Sequence, residues 1–485
     1  MKRRSYHEKK LTIIQVNDTH GYIEEHWEHF FNGKDSQYIK VGGYPRLKTY
    51  IDQTRRTNDN VLFLDSGDTF HGTYPVVASE GEVLIPLLNK MTLDAMTAHW
   101  EFAYGPKRFK ELASQLNYPV LAINIYDEKT NELVFDPYLI KEFKDVKVGI
   151  IGIAATIVDK VMPEHFSQGL YFTPGEEELA KYIKELKADK GVDIIVVLSH
   201  LGYPQEVKLA KEVDGVDVLL SGHTHNRLYE AQEVNGAIII QSGCHGSFLG
   251  HLDITIDDKK IIDYNYQLEL MDSTMEKDPT MKALVEKTMA PYRNRLDQVL
   301  GKTETSLSRT LVLESTMDNF LLNAILDYTG SQIAFSNGWR YGAPIPVGDI
   351  TENDLWNIIP VNPPISQVEL SGREIWDMLE ENLERTFATD PYKQMGGYLK
   401  RAMGINVYFK IENAVGQRIQ YLFINGEAID YDHLYDVAFV TTQGVPSKYG
   451  SQRKNLEINA IDVLKNYLAK ENIIQAPLMN TMVAI

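Results

Sequence analysis

Seven side chains in the first half of the chain are of types that ligate metal ions, and each falls near the end of a strand-like run. Asp18 and His20 follow residues 11–16 (LTIIQV), and Asp68 follows 61–64 (VLFL) within DSGDTFHGT. His99 lies in MTLDAMTAHWEFAYG, His200 ends 194–198 as Ser199-His200, and His223 and His225 end 216–220 as SGHTHN. Short β-branched apolar runs read as buried strands, and α/β sheets hold ligands at the carboxyl ends of their strands. Singly, each residue has a bland reading: a hydrogen-bonded structural histidine, or a turn aspartate beside Gly67. Five strand ends in succession with the same chemistry form a joint pattern. Carboxylate and imidazole donors without thiolate suit manganese, zinc, iron or nickel. Seven donors exceed the needs of one ion, whereas two ions bridged by one carboxylate would use them all.

The elements that must position these residues can be read from periodicity. Up to about residue 270, apolar runs at 11–16, 61–64, 120–123, 148–153, 193–198 and 216–220 alternate with helical patterns such as 176–187 (EEELAKYIKELK). That alternation predicts an α/β layered domain, with 237–241 and 252–256 as closing strands. An amphipathic helix is expected over about 279–300, kinked at Pro291 and stopped by Gly301. A second α/β domain follows. The expected boundaries are 1–275 for the metal domain, 276–300 for the connector and 301–485 for a substrate-binding domain.

Bulk composition limits the function classes. A chain of 485 residues is too long for one ordinary core. A net charge of −18 argues against nonspecific nucleic-acid binding and asks for local cations if the substrate is a small anion. The single cysteine, Cys244, allows no disulfide framework and no cysteine-type zinc site. The basic start MKRRSYHEKKL has no apolar core or small-residue cleavage site, so no signal peptide is expected. No window approaches the roughly 18 apolar residues of a membrane span. A cytoplasmic location, without membrane partners, is the expectation.

Taken in order, D-x-H, GDxxxG, an H-E-F-type block, a lone S-H and GH-x-H resemble the calcineurin-like metallophosphoesterases. The resemblance extends through GGYPRLKTYI and QSGCHGSFLGHLDI to SNGWRYGAPIPVGDIT, IIPVNPPISQVELSG and MGGYLKRAMGINVYF, which are similar to the C-terminal domain of bacterial 5′-nucleotidases. It implies a four-layer α/β metal domain, a β-sandwich flanked by helices, joined to an α/β substrate domain. It also implies two divalent metals, most readily manganese: Asp18, His20 and His225 would hold one, His200 and His223 the other, and Asp68 would bridge. Asp68 and His99 would carry the catalytic step, attack by a metal-bridging hydroxide on a phosphate ester.

The chain departs from the family pattern at two places. In Ala98-His99-Trp100-Glu101-Phe102-Ala103-Tyr104-Gly105 the family's asparagine ligand is His99, its catalytic histidine is Trp100 and the paired aspartate is Ala103. Such a dyad contributes roughly 10²–10⁴-fold to rate. His71 and His245 are candidates to stand in, with a surface or core histidine as the default for each. On the substrate side, ungapped alignment from Asn337 puts the phosphate-contacting arginine at Gly342, with Arg340 two residues earlier. The nucleobase-stacking aromatic before Asn362 is Val361, and Tyr398 offers a ring. The implied substrate-binding residues are therefore Arg340, Asn337, Tyr398 and Asn362. The H-W-E-F block and the R-aromatic-G turn also resemble the dimanganese thiosulfohydrolases of bacterial sulfur oxidation. The expected activity is hydrolysis of a phosphomonoester, a nucleotide by preference. A sulfur-ester or non-nucleotide phosphate hydrolase is the alternative, and a metal-bearing binding module the second.

Overall fold

The computed structural model describes residues 8–485. Most of the basic N-terminal stretch on which the signal-peptide expectation rests, residues 1–7, lies outside the described residues. By backbone contacts the chain forms two units. One takes the described residues up to His26 with Lys40–Ala290, the other Trp27–Ile39 with Pro291–Ile485. Among the described residues no helix is long and apolar enough to cross a membrane.

The first unit is built on two sheets. In spatial order, the five-stranded sheet runs Lys260–Leu270, Phe248–Asp257, Lys9–Val16, Val61–Asp65 and Ala95–Met96, the last three parallel. The six-stranded sheet runs Gln232–Val234, Ala237–Ile240, Val218–Leu220, Ile194–Ser199, Lys147–Ile153 and Tyr138–Glu142, with its four central strands parallel. Alternate residues explain the layering. Leu11, Ile13, Leu62, Leu64, Val148, Ile150, Val196, Leu198, Val218 and Leu220 pack into one core shared by both sheets. The intervening Ile151, Ile153, Ile195, Val197 and Leu219 pack with Leu179, Ile183, Leu186 and Leu209 from helices. Those runs are buried on both faces, which is why they read as continuous apolar stretches.

The second unit has a five-stranded sheet in the order Tyr398–Met403, Ile333–Gly338, Leu434–Val440, Pro364–Ser371, Ser451–Asn459. Phe335, Val368, Leu370, Val437 and Phe439 from that sheet bury with Ile375, Met378, Leu379 and Leu383 of the helix Gly372–Phe387. That helix starts at a capping box in which Ser371 and Glu374 exchange side-chain and backbone hydrogen bonds.

Two expected elements differ. Residues 120–123 form isolated bridges, Met96 with Val120 and Leu121 with Asp136, because their N–H groups are divided among three partners: Leu121 donates to Met96, Ala122 to Asp136 and Ile123 to Gly152. The expected helix 279–300 is a helix only over Pro279–Met289. A 3₁₀ turn at Ala290–Tyr292 and a short helix Arg293–Leu296 follow, and Val299 begins a strand, Val299–Thr303. Pro291 has no N–H to continue the ladder and its ring crowds the preceding turn, so the helix ends there instead of bending.

Candidate metal centre

The C-terminal ends of the parallel strands in the first unit converge the seven histidines and aspartates. One donor atom from each of Asp68, His99, His200 and His223 lies within 4.8 Å of the others, and the same holds for Asp18, His20 and His225. All are buried except His225, which is partly exposed. The loops reach this arrangement by accepting backbone strain: Asp18, His20, Asp68, His223 and His225 all have φ between +47° and +71°. Side chains other than glycine rarely adopt that region, and clusters of such residues mark functional sites.

The loop after Val61–Asp65 organises both groups. The carbonyl of Gly67 accepts the Asp18 N–H at 2.8 Å and that of Asp68 accepts the His20 N–H at 2.8 Å. The Ser66 carbonyl lies 2.5 Å from His200 Nδ1, and the His71 carbonyl 3.2 Å from His20 Nδ1. A carbonyl can only accept, so both imidazoles carry a proton on Nδ1 and turn Nε2 inward. Asp68 Oδ1 is occupied by the Trp100 N–H at 2.7 Å. Its Oδ2 is 3.1 Å from His99 Nδ1, 3.1 Å from His200 Nε2 and 3.8 Å from His20 Nε2, so it faces both groups.

The electrostatics fit divalent cations. Burial would raise the Asp68 carboxyl, but His99 and His200 outweigh it and hold it well below the usual carboxylate range. Burial likewise opposes ionisation of Asp18, and His225 and His200 reverse the balance. His20 is lowered to about 4 by burial, which keeps it neutral as a ligand must be. Burial would lower His200 as well, yet Asp68 and Asp18 raise it to about 10, so a cation at its Nε2 would take the place of a proton that the two carboxylates attract. Asp18 Oδ1 and His99 Nε2 are buried without a hydrogen-bond partner among the described residues. Such orphaned acceptors are costly unless something cationic fills the space between them. Two divalent cations answer all of these requirements.

Several residues that hold the centre were not foreseen from sequence. Glu101 is fully buried and accepts from Thr69 N–H and His99 N–H, both at 2.6 Å, clamping the Asp68 loop to the His99 loop. Asn17 donates to Asp18 Oδ2 and to the Gly243 carbonyl, each at 2.7 Å. Glu206 accepts from Leu201 and Gly202 N–H at 3.2 Å, bracing the turn after His200. For Asn17 and Glu101 the signal in sequence was closeness to a ligand candidate, which any neighbouring residue shares; Glu206, in the helix Tyr203–Glu212, gave none.

Both stand-in candidates are buried beside the donor groups. His71 stacks on Trp100, with ring centroids 4.6 Å apart and planes at 25°. His245 donates its backbone N–H to the Asp18 carbonyl at 2.7 Å, and its ring lies 5.8 Å from that of His20. Both are lowered by burial, His71 to about 3.

In the second unit the structure brings Arg340 and Tyr398 together, the guanidinium 4.9 Å from the ring centroid and donating to the Gly397 carbonyl at 2.9 Å. Asn337 sits at the end of the Ile333–Gly338 strand that leads to Arg340. Asn362 is used locally: its Oδ1 accepts the Ile461 N–H at 2.9 Å, at the start of the helix Ala460–Glu471. An arginine at position 342 would be strained. Gly342 has φ +107°, and a Cβ there would come within 3.0 Å of the Asn357 carbonyl and 3.1 Å of Arg309 Nη1.

Residues 11–227 match the model of the calcineurin-like phosphoesterases, and residues 298–443 that of the 5′-nucleotidase C-terminal domain. The trifunctional nucleotide phosphoesterase protein YfkN of Bacillus subtilis (strain 168) is 25% identical over 486 residues; the match covers 88% of this chain, which spans 31% of that protein's length. The snake venom 5′-nucleotidase of Naja atra is 26% identical over 456 residues, covering 84% of each chain. The solved structure of the Thermus thermophilus sulfate thiohydrolase SoxB in complex with glycerol shares the fold, with a TM-score of 0.91 at 23% identity over 98% of this chain and 96% of that one.

Proposed function

We propose that this chain, which belongs to the calcineurin-like phosphoesterases carrying a 5′-nucleotidase C-terminal domain, hydrolyses nucleoside phosphates with two manganese ions. The observation that carries the reading is the pair of donor groups facing one shared carboxylate, Asp68. Two divalent cations there supply charge to neutralise an anionic ester and lower the pKa of a water. The protein's part is to fix the donors: Ser66 and His71 carbonyls set the tautomers of His200 and His20, Glu101 and Asn17 hold the loops, and Asp68 balances the imidazoles. Carboxylate and imidazole donors with no thiolate among them admit manganese, as they admit zinc, iron and nickel, and the resemblance to the dimanganese thiosulfohydrolases supports the choice of manganese. A nucleotide is favoured by relatives named for nucleotide phosphoesterase and nucleotidase activity.

Arg340 is the group assigned to the anionic part of the substrate, presented on the Tyr398 ring. Arg340→Ala is expected to raise KM about tenfold or more while kcat changes little, as removal of uniform binding does. Steady-state kinetics check this, and an unchanged KM removes the residue from the site. Sulfur-ester hydrolysis is the second reading. It is favoured by Val361, which leaves the segment 360–362 without a stacking ring, and by Trp100 in place of the dyad histidine.

The deciding experiment is turnover by manganese-loaded protein on nucleoside mono-, di- and triphosphates, p-nitrophenyl phosphate, a bis-phosphodiester and a thiosulfonate. Phosphate release with a preference for nucleotides supports the main reading. Turnover of the thiosulfonate alone moves the chain to sulfur chemistry. Two bound metals with no turnover of any substrate mean a binding module.

A further inference from the structure

We infer that Trp100 is a positioning residue for the cation held by Asp18, His20 and His225, acting through the backbone of His71. The inference rests on reading the two donor groups as cation sites. A neutral imidazole ligates through one nitrogen only while the other keeps its proton, so the acceptor of that proton sets the ligating face. For His20 the acceptor is the His71 carbonyl, 3.2 Å from Nδ1. Nε2 is thereby turned toward His225 Nε2 at 3.2 Å and Asp18 Oδ1 at 3.9 Å.

The position of that carbonyl is tightly defined. Gly72 has φ +140°, and a Cβ there would come within 2.4 Å of the His20 carbonyl oxygen, so the two backbones run in close approach. The His71 ring lies flat on the indole of Trp100, and both side chains are buried. Trp100 in turn meets Phe166 edge-on, with centroids 5.4 Å apart. Its main chain donates to Asp68 Oδ1 at 2.7 Å. One residue therefore steadies the shared carboxylate through its backbone and His20 through its side chain.

His200, in the other group, is oriented differently. Its acceptor is the Ser66 carbonyl at 2.5 Å, in a segment held by Gln15 Nε2 to Ser66 Oγ at 2.9 Å and by Gly67 N–H to Asp65 Oδ1 at 2.9 Å. The indole also meets the ring of His99 in that group edge-on, with centroids 6.2 Å apart. His99 is held independently, by its N–H to Glu101 at 2.6 Å and by Nδ1 against Asp68 at 3.1 Å, so loss of the indole should loosen one cation and spare the other.

The test measures manganese per chain by elemental analysis and manganese affinity by electron paramagnetic resonance, on folded wild type, Trp100→Ala, Trp100→Phe and His71→Ala. Wild type is expected to bind two ions. Trp100→Ala should keep one at wild-type affinity and bind the second about 10- to 100-fold more weakly. Trp100→Phe, which preserves a flat ring against His71, should retain both. His71→Ala should reproduce Trp100→Ala, and the double variant should add little to either. Two ions at wild-type affinity in Trp100→Ala, parallel weakening of both, or no rescue by phenylalanine would each overturn the inference. A wild type that binds two manganese ions but turns over no substrate defeats the hydrolase reading and leaves this inference standing.

Discussion

Asp68→Ala is expected to reduce turnover on the order of 10⁴-fold, the scale seen when a residue acting as part of a catalytic unit is removed. Bound metal should fall from two ions per chain to one or none. The reason is geometric. Asp68 Oδ2 faces His99 and His200 at 3.1 Å and His20 at 3.8 Å, so its charge serves both donor groups, while Oδ1 holds the Trp100 N–H. Removing the carboxylate leaves imidazoles around a space with half its negative charge gone, since Asp18 is the other carboxylate among the seven donors. Excess manganese should not restore activity, because the lost contribution is the shared one. Asp68→Asn separates charge from shape: the amide oxygen can still accept from Trp100, but the bridging anion is absent. Elemental analysis and initial rates check both variants. Wild-type metal content with a wild-type rate in Asp68→Ala would eliminate the shared-carboxylate assignment.

The second large effect is on stability and lies in the other unit. Asp318 is fully buried between two buried arginines. Arg309 Nη2 donates to Oδ1 at 2.9 Å, and Arg401 Nε lies 3.1 Å from Oδ2. The Asp318 N–H also donates to Ser315 Oγ at 3.1 Å, the N-cap of the helix Thr316–Thr329. Asp318→Ala is expected to destabilise the unit by about 3–5 kcal/mol, the cost of leaving buried charge uncompensated. The guanidiniums keep partial partners, since Arg401 donates to the carbonyls of Val312 and Leu311 and Arg309 to that of Tyr341. Urea unfolding followed by circular dichroism measures the loss. A change below about 1 kcal/mol, the range of exposed ion pairs, would mean the cluster is hydrated. Arg401 belongs to the Tyr398–Met403 strand and its guanidinium lies 5.4 Å from the Tyr398 ring. Asp318→Ala should therefore also raise KM, by loosening the ring against which Arg340 is held.

Much of the metal domain was legible in the linear chain because its strands are buried on both faces. Continuous β-branched runs at 11–16, 61–64, 148–153 and 194–198 read as strands buried on both faces of an α/β domain, and polar residues directly after them then emerge at the strand ends. Donor identity and order follow from that alone, which is why all seven candidates enter the two groups. The segment 120–123 misled for the same reason: it is as apolar as a strand, but pairing is decided by neighbours that composition does not specify. The connector was read as one helix because apolar spacing continued through Pro291, and the local loss of an N–H outweighed that spacing.

What the sequence by itself determined is the set of candidate donor residues, the alternating architecture that delivers them to the strand ends, and the departure from the family pattern at Trp100 and Ala103. Only the tertiary structure decided how those atoms are aimed. Ser66 and His71 orient His200 and His20 through backbone carbonyls, a group every residue possesses and no side-chain pattern reveals. Glu101 clamps two loops 30 residues apart by accepting main-chain N–H groups, and Trp100 meets His71 because the strands that precede them, Ala95–Met96 and Val61–Asp65, pair in parallel. Side-chain chemistry is written residue by residue. Tautomer, strain and the partner of a buried charge are properties of contacts between distant segments, and exist only once the chain has folded.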